Sequence, residues 1–197
     1  MKKTLIASAL LVPLLACAGA APPPTQYLLR GDWEAASGRM DAPIKLGLGR
    51  LVVAPYLIGS SGIVIETGPG QVQSARQHQW AEPLGAGLRA FLGAEIGAAL
   101  GYPLTGSYMD RPNWDYQLDI AIDRLHGTMD GTALLQARYR ITSRGNPEAG
   151  GEFYFTNSKR LPQEGYPGVV SAEASLLQDL AAAIAKSVAA SAGEPGS

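Results

Sequence analysis

The chain has one cysteine, Cys17, and it stands at the end of Leu14-Leu15-Ala16-Cys17. Lys2 and Lys3 come first, then an apolar run from Leu5 to Leu15. Charge, apolar stretch, small residue and cysteine in that order make a bacterial lipoprotein signal peptide, a segment that is removed and not folded. Cleavage between Ala16 and Cys17 frees a thiol to carry a diacylglyceryl group and an amine to take a third, palmitate-type acyl chain. Each buried methylene contributes about 0.8 kcal/mol, and stable anchoring takes more than one chain. A triacylated Cys17 therefore holds a domain at a membrane without a transmembrane helix. The apolar run is itself shorter than the roughly 20 residues of a membrane span. Leu15 departs from the small residue usual at its position, and a cleaved secretory signal with an incidental cysteine is the alternative. Ala18 is not the aspartate that keeps lipoproteins in the inner membrane of enteric-type bacteria. By that sorting rule the expected location is the outer membrane, lipid-anchored on its periplasmic face.

Other residues of reactive type make weaker cases. Asp115, Asp119 and Asp123 share one side of an alternating segment, but a spacing of four residues in a strand separates neighbours by roughly 13 Å. That is too far for shared metal ligation, and cross-strand pairing with Arg138 and Arg140 is the expected role. His78 and His126 are the only histidines and have no further Cys or His at metal spacing. His78 is expected to cap or pack just before a helix, and His126 to close a strand beside Gly127. Gly59-Ser60-Ser61-Gly62 is one residue short of the G-x-S-x-G elbow and sits between strands instead of before a helix. Gly47-Leu48-Gly49 lacks the third glycine and the helix of a dinucleotide loop. The aromatic residues Tyr27, Tyr56, Trp80, Tyr102, Tyr108 and Trp114 either pack the core or line a binding surface. No catalytic, metal-binding or cofactor-binding residue is expected, and the chain does not read as an enzyme.

Composition agrees with an anchored, unreactive domain. The formal net charge of −1 becomes more negative when Lys2 and Lys3 leave with the signal, which gives no electrostatic footprint for nucleic acid. With its one cysteine acylated, the domain has no disulfide, so packing must hold it. Glycine, at 24 residues, exceeds the usual ~7 % and falls largely between apolar stretches, as turns require.

The elements that position these residues follow from periodicity. Residues 1–16 are the signal peptide, and residues 17–25 an Ala/Pro-rich tether ending in Pro22-Pro23-Pro24. At about 3.1 Å per residue such a spacer reaches only roughly 20–25 Å. The folded domain spans 26–192 and a loose tail 193–197. Tyr27–Leu29 is a short strand, and Leu46–Pro55 a longer one. Ile63–Ile65 and Val72–Arg76 flank a turn at Gly68-Pro69-Gly70. Trp80–Leu100 reads as a helix from the spacing of Leu84, Leu88, Phe91/Leu92, Ile96 and Ala99/Leu100, with Gly101 and Pro103 as its stop. Gly85, Gly87, Gly93 and Gly97 weaken it by up to ~1 kcal/mol each, so contacts with the sheet are expected to hold it. Tyr116, Leu118, Ile120 and Ile122 alternate with polar residues, as do Leu135, Ala137, Tyr139 and Ile141 after a turn at Asp130-Gly131; this is an antiparallel hairpin. Phe153–Phe155 adds a strand. Ser171–Ala190 is an amphipathic helix with Leu177, Leu180/Ala181, Ile184 and Val188 inward. The expected fold is a single α+β domain, a mainly antiparallel sheet with two long helices packed against one face.

Several segments together resemble a known family. Gln26-Tyr27-Leu28-Leu29 follows the tether, Leu51-Val52-Val53-Ala54-Pro55-Tyr56-Leu57 precedes Gly62-Ile63-Val64-Ile65, and His78-Gln79-Trp80-Ala81-Glu82-Pro83-Leu84 is the most specific stretch. With Val170–Lys186 closing the domain, the chain resembles the ABC-type transport auxiliary lipoproteins, the PqiC/YmbA-like family. It departs at Ile58-Gly59-Ser60-Ser61, where relatives often carry a charged Asp-Arg-type turn. The resemblance implies an accessory subunit of an MCE-type transport system for lipids between membranes, docking an MCE-domain protein at the outer membrane. It supplies no catalytic residues, so Cys17 is the one site it carries over. Self-association into a homo-oligomer is a further expectation for a transport path. Two other function classes stay open: a carrier domain that holds a hydrophobic ligand, and an envelope hydrolase.

Overall fold

The structure, a computed structural model, describes residues 22–31, 44–104, 113–146 and 150–193. Ala16, Cys17 and Tyr108 lie outside these residues. In chain order the elements are β1 (Thr25–Tyr27), β2 (Leu46–Val53), α1 (Pro55–Ile58), β3 (Gly62–Gly68), β4 (Gln71–Trp80), α2 (Leu84–Leu100), β5 (Tyr116–Thr128), β6 (Thr132–Ser143), β7 (Gly150–Arg160) and α3 (Tyr166–Gly193).

The alternating segments build the middle of the sheet. On β6, Ala133, Leu135, Ala137, Tyr139 and Ile141 are buried while Gln136, Arg138, Arg140 and Thr142 are exposed. β5 pairs with it antiparallel, with Ile120 opposite Tyr139 and Asp119 opposite Arg140. The turn closes with Gly131 N–H donating to the Thr128 carbonyl, and Gly131 takes φ +78°, a conformation that favours glycine. β7 adds antiparallel to the outer edge of β6 and runs well beyond Phe153–Phe155.

The seven strands form one sheet in the order β1-β4-β3-β5-β6-β7, with β2 also on β5. It is mixed, not mainly antiparallel as the sequence suggests. β1 on β4, β2 on β5 and β3 on β5 are all parallel pairs. The physical reason lies along one edge of β5. β2 occupies that edge from Tyr116 to Ile122, and β3 takes over at Gly127 and Thr128. Between them the chain turns through the one-turn helix α1, started by Pro55 at a position where its missing N–H costs nothing. Alternation of apolar residues is the same in either strand direction, so only the hairpins could be oriented from sequence.

The helices also differ from expectation. One is long, α3 at 28 residues, while α2 has 17 and α1 has four. α2 starts at Leu84, because Trp80 is the last residue of β4 and Pro83 takes the cap position. It ends at Gly101, which adopts φ +76° and donates its N–H back into the last turn. Both long elements cover the same face. Leu176, Leu177, Leu180, Ile184 and Val188 of α3 close over the buried rows of β5 and β6, and Leu88, Phe91, Leu92 and Ile96 of α2 extend that core where α2 packs beside α3 and on β2. Each such leucine or isoleucine contributes about 1.5–3 kcal/mol by leaving water. α3 is long and apolar enough to cross a membrane, but its apolar stripe is buried on the sheet, as in a core helix.

Candidate docking corner and ligand cleft

The aspartate row resolves into separate roles. Asp123 takes a bidentate pair from Arg138, at 2.8 Å and 2.9 Å, and the guanidinium holds its carboxyl below the usual carboxylate range. Asp119 does not follow the expected pairing: it accepts from the Arg50 backbone N–H and the Gln117 amide, while Arg140 bonds Glu152. Asp115 accepts from the Lys45 backbone N–H. Among the described residues no group of three or more His, Cys, Asp or Glu is arranged to hold a metal ion.

The histidines are packing residues. His78 lies inside β4, not before α2, and caps nothing. Its ring stacks on Tyr166 with centroids 4.3 Å apart, and the Tyr27 hydroxyl is 2.9 Å from its Nδ1. His126 is fully buried in β5, donating from Nδ1 to the Gly127 carbonyl at 3.1 Å. Burial pushes its pKa down, so it is neutral beside the Glu66 carboxylate, which Arg124 holds at 2.8 Å. Neither ring bonds a serine among the described residues.

Of the aromatic residues, Trp80, Tyr102 and Trp114 are buried, as core packing predicts. Tyr166, not singled out from sequence, stands at the wall of a second cavity. Glu173 was also missed. It is fully buried on α3, its Oε2 has no hydrogen-bond partner, and burial raises its pKa well above the ordinary carboxyl value. The signal for it was available: Glu173 stands four residues before Leu177, on the inward stripe.

Two concavities collect the remaining surface features. The first is a corner where the α1–β3 connection meets the β4–α2 connection. It is a cavity of about 520 Å³ lined by Ile58, Ser60, Ser61, Trp80, Pro83 and Leu84. The Trp80 N–H donates to the Ser61 carbonyl at 2.7 Å, and Arg30 bonds Glu82 at 2.6 Å. Ile58 is 55 % exposed here, so an apolar side chain stands free at the rim. Gly59-Ser60-Ser61-Gly62 thus follows a helical turn and enters β3, in a setting unlike a nucleophile elbow. The second is a cleft of about 800 Å³ between the β3–β4 hairpin, the β5–β6 turn and the β7–α3 loop. Ile65, Met129, Leu161 and Val169 form its apolar walls, and Asp130, Arg160 and Glu164 its charged rim. Cavities of this size suit small ligands.

Comparison with known proteins adds to this geometry. Residues 27–185 match the family described as ABC-type transport auxiliary lipoprotein component. No curated protein matches the sequence. Among solved structures, the fold is similar to that of an uncharacterized protein, with a TM-score of 0.69 at 22 % identity, covering 85 % of this chain and 99 % of the other. It is also similar to a protein from Xanthomonas campestris, with a TM-score of 0.62 at 15 % identity, covering 87 % of this chain and 95 % of the other. At these identities the likeness speaks to fold alone.

Proposed function

The chain belongs to the family of ABC-type transport auxiliary lipoproteins, and from that membership we propose that it is the membrane-anchored docking subunit of an MCE-type lipid transport assembly. Acylation at Cys17 ties the domain to the periplasmic face of the outer membrane. The short tether then confines it to a thin layer, raising its effective concentration toward any partner that reaches that layer. It works by binding and not by catalysis, in keeping with histidines that are packed among tyrosines and backbone.

The observation that carries the docking role is the corner around Ile58. It joins two segments that carry the family resemblance, Leu51–Leu57 and His78–Leu84, at the turn where the chain departs from it, and presents an exposed isoleucine beside small residues. Aliphatic anchors of this kind desolvate on binding and dominate interface energies when they enter a pocket. Replacing Ile58 by glutamate leaves the core untouched, since the side chain points to solvent. Ile58→Glu is expected to reduce co-purification of the neighbouring MCE-domain protein by tenfold or more, roughly the 1.4 kcal/mol step of a lost anchor. Unchanged co-purification would move the interface elsewhere; failure of the unaltered chain to co-purify would remove the docking role.

A second reading, a domain that itself holds a hydrophobic ligand, is favoured by the cleft beside Tyr166. The two readings are compatible, because the corner and the cleft use different residues.

A further inference from the structure

The cleft carries more than its volume. Its rim combines one cation with two anions. Arg160, at the exposed end of β7, has no ion-pair partner among the described residues. Asp130 is kept ionised by the hydroxyls of Thr128 and Thr132, which lower its pKa. Both hydroxyls bond Oδ1, so the turn itself orients the carboxylate at the rim. Glu164 supplies the second carboxylate. The walls below are apolar, and Met129 stands over them 74 % exposed.

The cleft is also preformed. The Leu161 N–H donates to the Gly131 carbonyl at 3.0 Å, pinning the β7–α3 loop to the β5–β6 turn. The Gln163 carbonyl occupies the place that a Cβ on Gly168 would take, so the loop folds back directly onto the first turn of α3. A site that needs no rearrangement loses less entropy on binding.

Its position relative to the anchor is fixed by a ladder of rings. Pro22–Pro24 lead directly into β1, and Tyr27 of β1 stacks on His78, which stacks on Tyr166 at the cleft wall. The cleft therefore lies two ring contacts from the strand at which the tether ends. With a tether of roughly 20–25 Å, it is held within reach of the bilayer that anchors the chain.

From this combination we propose that the cleft binds a zwitterionic glycerophospholipid taken from the anchoring membrane. An acyl chain lies along Ile65, Leu161 and Val169, the phosphate meets Arg160, and the head-group ammonium meets Asp130 or Glu164. Guanidinium pairs with phosphate by charge-assisted hydrogen bonds, whereas an anionic head group without an ammonium leaves both carboxylates facing like charge. This rests on the ligand-holding reading above and names its ligand.

The test places a photoreactive benzophenone residue at position 129 of the acylated full chain, reconstituted in vesicles of equal phosphatidylethanolamine and phosphatidylglycerol. Met129 is exposed, so the replacement does not disturb folding. Phosphatidylethanolamine adducts are expected to exceed phosphatidylglycerol adducts by about tenfold. Arg160→Glu should abolish that excess, and Leu161→Trp, which enlarges a half-buried residue of the cleft wall, should remove the adducts. The same label at Val52, on strand β2 away from the cleft, should give no head-group preference. Adducts at position 129 in proportion to bulk composition, unaffected by Arg160→Glu, would overturn the zwitterion assignment while leaving a ligand cleft. No lipid adduct at position 129, with Cys17 acylated, would overturn both the assignment and the ligand-holding reading.

Discussion

Glu173 is the side chain whose chemistry is most at odds with its surroundings. A fully buried carboxyl lacking a partner for Oε2 stays protonated, because ionising it would place a charge in the core. Its neighbourhood is charged on several sides: Tyr56 of α1 feels Arg124, Glu66 and Glu173 together, and His126 faces Glu66. A carboxyl with a raised folded-state pKa favours the folded state at pH below its unfolded value of 4.5. That advantage is lost as pH rises above 4.5, because the unfolded chain ionises first. Glu173→Gln keeps the shape and removes the titration. Its stability relative to the natural chain should therefore increase with pH above 4.5, by up to about 1.4 kcal/mol per unit, as read from urea unfolding. His126 has the opposite sign, with stability present above pH 6.5 and lost below it, and it cancels in the comparison. A pH-independent difference would mean that Glu173 is ionised in the fold. Residue types alone pointed to Asp115, Asp119 and Asp123, of which one pairs with an arginine and two accept from backbone N–H groups. The buried carboxyl was visible only through its place on the helix stripe.

Among the elements, β5 does the most to organise the molecule. One of its edges is shared between β2 and β3, and the backbone passes so close at Gly127 that an added Cβ would lie 2.8 Å from Ile65 and 2.9 Å from Val169. Both of those residues line the cleft, so Gly127→Ala would reach it as well as the core. α2 shows the reverse situation. Its glycines suggest close approach to the sheet, yet an added Cβ at Gly93 would meet nothing within 4 Å. Gly93→Ala should thus stabilise the protein by about 0.5–1 kcal/mol, measured as a shift in the urea midpoint at constant slope. A loss of stability would show that α2 has a packing partner at Gly93. Besides its buried apolar face, α2 is tied to the sheet by Arg89, whose guanidinium bonds the carbonyls of Leu48 and Gly49 where β2 leaves its ladder. The β5–β6 hairpin could be read in the sequence because alternation and a Gly131 turn coincide. The parallel pairs could not, since alternation is the same in either strand direction and their partners lie far apart in the chain, β1 with β4 and β2 and β3 with β5. The cleft walls at Leu161–Gly165 could not either, for that stretch has no period.

Taken whole, the molecule is a layered α+β domain with Pro22–Pro24 leading into β1, a corner beside Ile58 and a cleft beside Tyr166. Both concavities neighbour β1, the corner through the Ala81 N–H to Tyr27 carbonyl bond and the cleft through the ring ladder. This arrangement has meaning only if the N-terminus is held at a membrane. The proposed anchor rests on the pattern of residues 1–17 alone and on no folded contact, because a signal peptide is read by processing enzymes and not by the core. The decisive observation is the mass of the N-terminal peptide of the mature chain in separated inner- and outer-membrane fractions. The expected result is a peptide that begins at Cys17, carries a diacylglyceryl group and an amide-linked acyl chain, and is recovered with the outer membrane. A soluble chain that still begins at Met1, with its cysteine unmodified, would contradict it.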